Sequence, residues 1–177
     1  MGDLKLTSSY FSGGGEIPRK CGYKWGNVSP SLVIDGIPDG TKTFALIMDD
    51  PDAMEPAGKI WVHWVFWNYN ISGATAIKTI HPDDDKVVGL IIEDGVSPQN
   101  PEEKKFLGAM AVEGITDFGE VGYGGPAPPD KRHTYVFKLY ALDTKLDLPD
   151  KSTKADLEKA MEGHIIEQTT LTGTYAP

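Results

Sequence analysis

Glycine and proline recur along this chain as punctuation between short runs of β-branched and aromatic residues, twenty of one and thirteen of the other in 177 positions. Spaced in this way they interrupt long helices and mark turns, which is the pattern of an antiparallel β-sandwich or barrel. The strongest strand signals fall at Thr43 to Asp50, Ile60 to Asn68, Val87 to Glu93, Ala109 to Val112 and Thr134 to Leu142. Weaker ones lie at Leu4 to Ser8 and Thr169 to Tyr175. The run Trp61 to Trp67 is apolar at both parities, which predicts a strand covered on both faces rather than an edge. Period two puts His133, Tyr135, Phe137, Leu139 and Ala141 on one face of the Thr134 to Leu142 strand, so His133 and Tyr135 point the same way.

One segment reads as a full helix. Ser152 or Thr153 can cap it, Asp156 sits in its first turn, and Leu157, Ala160, Met161 and Ile165 form an apolar stripe with His164 in the last turn. Pro101 to Phe106 reads as a short helical turn, because Glu102 and Glu103 suit a helix start after Pro101. No linker or internal repeat divides the sequence, and the expectation is a single domain over residues 1–177.

Charge and composition exclude several function classes. A formal charge of −9 repels nucleic acid, and the Lys104-Lys105 and Lys131-Arg132 pairs are too isolated among acids to form a basic patch. Without a run of about 18 apolar residues no membrane insertion is expected. The first eight residues lack the basic and apolar regions of a secretory signal, and the expectation is a cytoplasmic protein. Cys21 is the single cysteine, so neither an intrachain disulfide nor a cysteine metal site can form within one chain. Four histidines, His63, His81, His133 and His164, lie without metal-ligand spacing. Neither a metal nor another cofactor is expected. The sequence also lacks a Gly-x-Ser-x-Gly elbow, a His-Glu-x-x-His helix and a Gly-x-Gly-x-x-Gly turn.

The chemistry-bearing residues stand at the ends of strands. Asp50 and Asp52 flank Pro51, whose ring fixes one φ angle and sets the two carboxylates in a reproducible relation. Such aspartates either bond backbone N–H groups in a turn or do acid–base work. His63 lies between tryptophans, as a buried histidine held by one hydrogen bond or as a donor to a bound anion. His133 opens a strand directly after a turn, where a side chain often faces a cleft. The turn from Gly122 to Pro129 offers close backbone approach and a rigid wall, with cis isomers open to the bonds before Pro126 and Pro129. The alternative for all these polar groups is one buried network in which they satisfy each other.

These residues, in this order, resemble the phosphatidylethanolamine-binding protein family in its bacterial and archaeal Raf kinase inhibitor-like branch. The resemblance runs nearly end to end: Phe11 through Pro18, Asn27-Val28-Ser29-Pro30, Gly40-Thr41-Lys42, Asp50-Pro51-Asp52-Ala53, His63-Trp64, Gly122 to Pro129, His133 to Tyr135, Gly163-His164-Ile165 and Leu171 to Tyr175. It implies a mostly β protein, an antiparallel Greek-key β-sandwich, with a small cavity for phosphate or a phospholipid head group. Carried over residue by residue, that cavity involves Asp50, Asp52, His63, Pro126, His133 and Tyr135. Met54 departs from the proline that usually closes the Asp-Pro-Asp-Ala motif, Ile34 from a common tryptophan, and Lys20 to Trp25 from the usual run there.

The expected function is therefore non-enzymatic binding of a small anion, phosphate or a phosphorylated head group. Both histidines and the Tyr135 hydroxyl would donate to it while Asp50 orients a histidine or receives an amine. The resemblance also admits regulation or inhibition of a kinase or protease, and leaves a homodimer open. The competing reading is an acid–base enzyme that acts on a small phosphoester through Asp50 and His63.

Overall fold

A computed structural model describes residues 2–70, 75–77, 89–94 and 111–177. Its described strands are β1 (Lys5–Thr7), β2 (Leu32–Asp35), β3 (Thr43–Asp50), β4 (Trp61–Asn70), β5 (Thr75–Ile77), β6 (Gly89–Ile92), β7 (Val112–Glu113), β8 (His133–Leu142) and β9 (Ile165–Tyr175). Every pairing between them is antiparallel. They form one sheet in the order β1-β2-β6-β5 and a second in the order β7-β4-β3-β8-β9. Helical turns are few: α1 (Met54–Ala57), α2 (Lys154–Met161) and 3-10 turns at Arg19–Cys21 and Pro51–Ala53. The protein is thus mostly antiparallel sheet, as its punctuation predicts.

The main core lies where both sheets contribute. Leu6, Leu32, Ile34, Leu90 and Ile92 from the first sheet join Phe44, Leu46, Met48, Trp64, Phe66, Phe137 and Leu139 from the second. Removing this much apolar surface from water is the dominant stabilising term, at about 1.5–3 kcal/mol per fully buried large side chain. The other face of the second sheet has its own cluster, in which Ala45, Ile47, Val65 and Trp67 pack with Leu142, Leu146, Leu157 and Met161. Strand β4 is therefore apolar at both parities because it lies inside its sheet, between β7 and β3, with both faces covered. Alternation along β8 holds as well: His133, Tyr135, Phe137, Leu139 and Ala141 are buried, while Thr134, Val136, Lys138 and Tyr140 are partly exposed.

The C-terminal helix is capped by Thr153, one of the two residues expected there: its hydroxyl accepts from the Asp156 amide at 3.2 Å, and its own amide donates to the Asp156 carboxylate at 3.0 Å. The far end of α2 needs correction. The helix ends at Met161, and Gly163 takes a left-handed φ of 78° that favours glycine. His164 consequently lies beyond the helix and meets Asp143 Oδ1 at 2.9 Å, and Ile165 begins β9 opposite Leu142. Helical spacing alone had extended the stripe one turn too far. Strand β2 carried no clear signal, while Pro101 to Phe106 and His81 lie outside the described residues.

Candidate functional site

A register slip in β4 determines where the chemistry gathers. Met48 pairs with Trp64 but Asp49 pairs with Val62, which leaves His63 as the extra residue of a β-bulge. Strict alternation would send His63 and Trp64 to opposite faces. With the bulge, Trp64 packs in the main core and His63 still turns toward Tyr135, whose ring stands edge-on at 5.1 Å between centroids. Asp50, two residues beyond Met48, ends the same face of β3 and lies opposite Trp61.

The strand ends close a cavity of about 190 Å³. Asp50, His63, His133 and Tyr135 line it as polar groups, although they come from three strands. Ala53, Pro56 and Ala57 supply a wall from the helical turns after β3, Trp61 and Phe118 an aromatic wall, and Ala127 and Pro129 the remainder. Lys131 and Glu55 form an ion pair that ties the Pro129 loop to α1. Phe118 is held by a parallel stack on Tyr23 at 4.3 Å, and Gly124 admits it: a Cβ there would lie 2.5 Å from the Phe118 ring.

Hydrogen bonds assign each polar group a state. Asp50 Oδ1 accepts the Asp52 amide at 3.0 Å and Oδ2 lies 2.6 Å from His133 Nδ1. His133 Nε2 lies 2.8 Å from Asp130 Oδ1. Carboxylates only accept, so both ring nitrogens of His133 donate and the ring is an imidazolium. Burial pushes its pKa down, but the bonds and charges of Asp50 and Asp130 outweigh burial and raise it above the ordinary 6.5.

His63 is the opposite case. Its Nδ1 lies 2.7 Å from the Gly124 carbonyl, while the Gly124 amide donates back to the His63 carbonyl at 2.8 Å. The ring is fully buried, and that burial lowers its pKa despite the upward pull of the Gly124 carbonyl and the Asp50 charge. The lowered pKa favours the neutral ring, and with the Gly124 carbonyl accepting from Nδ1 that form leaves Nε2 an acceptor. The two cavity histidines are thus shifted in opposite directions, His133 toward the imidazolium and His63 toward the neutral ring.

The Trp61 indole N–H is buried without a hydrogen-bond partner among the described residues, and the buried Tyr135 hydroxyl has none at full hydrogen-bond geometry, although the Asp50 carboxylate and the Ala127 backbone lie beside it. Burial first, and then the neighbouring Asp50 charge, push the Tyr135 phenol far above its usual range, so it remains a donor. Two residues expected at the cavity are not among its described lining. Asp52 instead accepts the Thr134 amide at 2.8 Å, fastening the start of β8 to the turn after β3. Pro126 points its carbonyl at the Tyr23 amide, 3.0 Å away, and leaves the wall to Ala127 and Pro129. The bonds before Pro126 and Pro129 are both trans. Sequence reasoning missed Trp61, Phe118 and Asp130; Phe118 sits in a loop with no motif of its own. Met54 is exposed on α1, and Ile34 is fully buried in the core.

The fold and this cavity define a class. The sequence matches the model of the phosphatidylethanolamine-binding protein family over residues 7–176, and the chain belongs to that family. A UPF0098 protein of Methanothermobacter thermautotrophicus is 37% identical over 97% of this chain and 98% of its own. One from Pyrococcus abyssi is 39% identical over 98% of this chain and 85% of its own. The crystal structure of a phosphatidylethanolamine-binding protein homolog from Chlamydia trachomatis superposes with a TM-score of 0.78 at 32% identity, covering 99% of this chain and 98% of that one. Escherichia coli YbcL, described as a member of the mammalian family, gives 0.79 at 30% identity over 98% of both chains. No helix among the described residues is long and apolar enough to cross a membrane.

Proposed function

We propose that the protein binds a small ligand by an oxyanion of the phosphate or phosphorylated head-group type, held in the cavity between Asp50, His63, His133 and Tyr135. The observation that carries this reading is a buried imidazolium, His133, in a cavity it shares with the buried Trp61 N–H, which has no partner among the described residues, and the buried Tyr135 hydroxyl, which has none at full hydrogen-bond geometry. Buried donors of this kind are costly unless something accepts from them. A cavity of about 190 Å³ is below the usual range of roughly 300–1,000 Å³ for drug-sized ligands and suits a head group instead. Neutral His63 adds an acceptor for a protonated oxygen or an amine of the same ligand.

Holding, rather than turnover, is the better account of Asp50. Both of its oxygens are already engaged, by the Asp52 amide and His133, so it is a poor candidate for a free general base with His63. Regulation of a kinase or protease would be a consequence of occupancy at this cavity, read out on its rim. Calorimetric titration with inorganic phosphate and with phosphoethanolamine tests the reading. Saturable binding that a His133→Ala variant loses supports it; heat of dilution alone up to tens of millimolar, on the order of the weakest specific affinities, removes it.

A further inference from the structure

His133 is fully satisfied before any ligand arrives. Its Nδ1 proton goes to Asp50 and its Nε2 proton to Asp130, three residues earlier in the loop that carries Pro129. The two carboxylates differ in setting. Asp50 is almost completely buried, with its side chain 4% exposed, and also caps the Asp52 amide; Asp130 is 38% exposed. Asp50 is thus a fixed support, while the more exposed Asp130 can rotate toward water by giving up its bond to His133 Nε2. His133 lines the cavity while Asp130 is not among its described lining, so Nε2 is a charged donor, about twice as strong as a neutral one, that is occupied from outside the cavity.

We propose that Asp130 is an internal competitor for the oxyanion position, and that a ligand reaches His133 Nε2 only by displacing the Asp130 carboxylate. The inference rests on the oxyanion-binding reading and adds an affinity-setting residue to it. A tethered carboxylate acts at a high effective concentration, so a free carboxylate of similar strength cannot compete with it. A phosphoryl group can, because it carries additional oxygens for the Tyr135 and Trp61 donors that line the same cavity. Asp130 thereby sets a threshold that excludes simple carboxylates by weakening all oxyanions in common.

The surrounding charges are consistent with a side-chain movement rather than a loop opening. On the C-terminal side of Asp130 the Thr134 amide donates to Asp52 at 2.8 Å, which fastens the backbone, and the exposed Lys131–Glu55 and Arg132–Glu16 pairs flank it. Pro128 and Pro129 restrict it on the other side. The groups facing His133 are Asp50 from the end of β3, Asp130 from the loop, Tyr135 on its own strand and Tyr175 opposite it on β9.

The test compares the wild-type chain with Asp130→Ala and Asp130→Asn. Inorganic phosphate and acetate are titrated calorimetrically at a pH one unit below the lowest His133 pKa of the three proteins, each read by imidazole NMR. This keeps His133 charged throughout, so loss of the Asp130 charge cannot act through protonation. Asp130→Ala is expected to tighten phosphate and acetate by a similar factor of about ten or more, with Asp130→Asn between it and wild type. Acetate binding should become measurable only in the variants. Unchanged phosphate affinity in both variants overturns the competitor while leaving oxyanion binding intact. Weaker phosphate binding overturns it as well and makes Asp130 a positioning residue. Binding of neither anion by any of the three proteins removes both ideas.

Discussion

The Asp50 carboxylate and the His133 imidazole meet at 2.6 Å on the floor of the cavity, across 83 residues of sequence. Both are nearly inaccessible to water, and the pair fastens the end of β3 to the start of β8. Replacing Asp50 by Ala removes the acceptor of a buried imidazolium and the cap of the following turn. Loss of about 3 kcal/mol is expected from breaking a buried pair in this way. Urea denaturation measures it, and the His133 pKa should fall in the same variant. A destabilisation no larger than that of a surface substitution would show that the pair carries no stability.

The two cavity histidines make opposite demands on pH. Both leave the unfolded chain with a pKa near 6.5, and folding raises that of His133 and lowers that of His63. The His133 contribution is complete below 6.5 and fades as pH rises through its raised folded value. The His63 contribution is complete above 6.5 and fades as pH falls toward its lowered folded value. Their sum is largest near pH 6.5. Urea midpoints collected from about pH 5 to about pH 8 should pass through a maximum there, and a His133→Gln variant should lose the decline on the alkaline side only. A wild-type profile that climbs steadily across the range contradicts the assigned states.

Gly124 is required by proximity rather than by its dihedral angles. A methyl group at this position would meet the Phe118 ring at 2.5 Å, so Gly124→Ala forces the ring out of its stack with Tyr23 and into the cavity wall. Such overpacking costs about 1–3 kcal/mol. Weaker phosphate binding should accompany the loss of stability. A variant with wild-type stability and affinity would mean that Phe118 yields freely.

The opposite face of β3 offers a control. Asp49 is buried there and accepts from Lys138 at 3.1 Å and Lys154 at 2.8 Å, joining the first turn of α2 to the sheet. Asp49→Ala leaves two lysines that can reach water, so the expected loss is smaller, about 1–2 kcal/mol. Phosphate affinity should remain within about twofold, since the carboxylate faces away from the cavity. A large change in affinity with little change in stability would place Asp49 in communication with the site.

Much of this arrangement was already legible in the chain. The limits of β3, the double-sided cover of β4 and the alternation of β8 follow from local patterns, because a strand's burial is written in its period. Asp50, His63, His133 and Tyr135 were marked by strand ends and by family resemblance. Asp52 and Pro126 were marked by the same motifs and were placed elsewhere, since a motif fixes neighbours in sequence and not the direction of a side chain.

Local sequence determined the strands, their buried faces and the turns that join them, because propensity, period and backbone restriction act over a few residues. Only the tertiary structure decided that a bulge turns His63 toward Tyr135, that Phe118 and Trp61 wall the cavity, and that the pKa of one histidine rises while that of the other falls. Those outcomes depend on burial and on partners tens of residues away, and an imidazole acquires its protonation state from whatever the fold sets beside it.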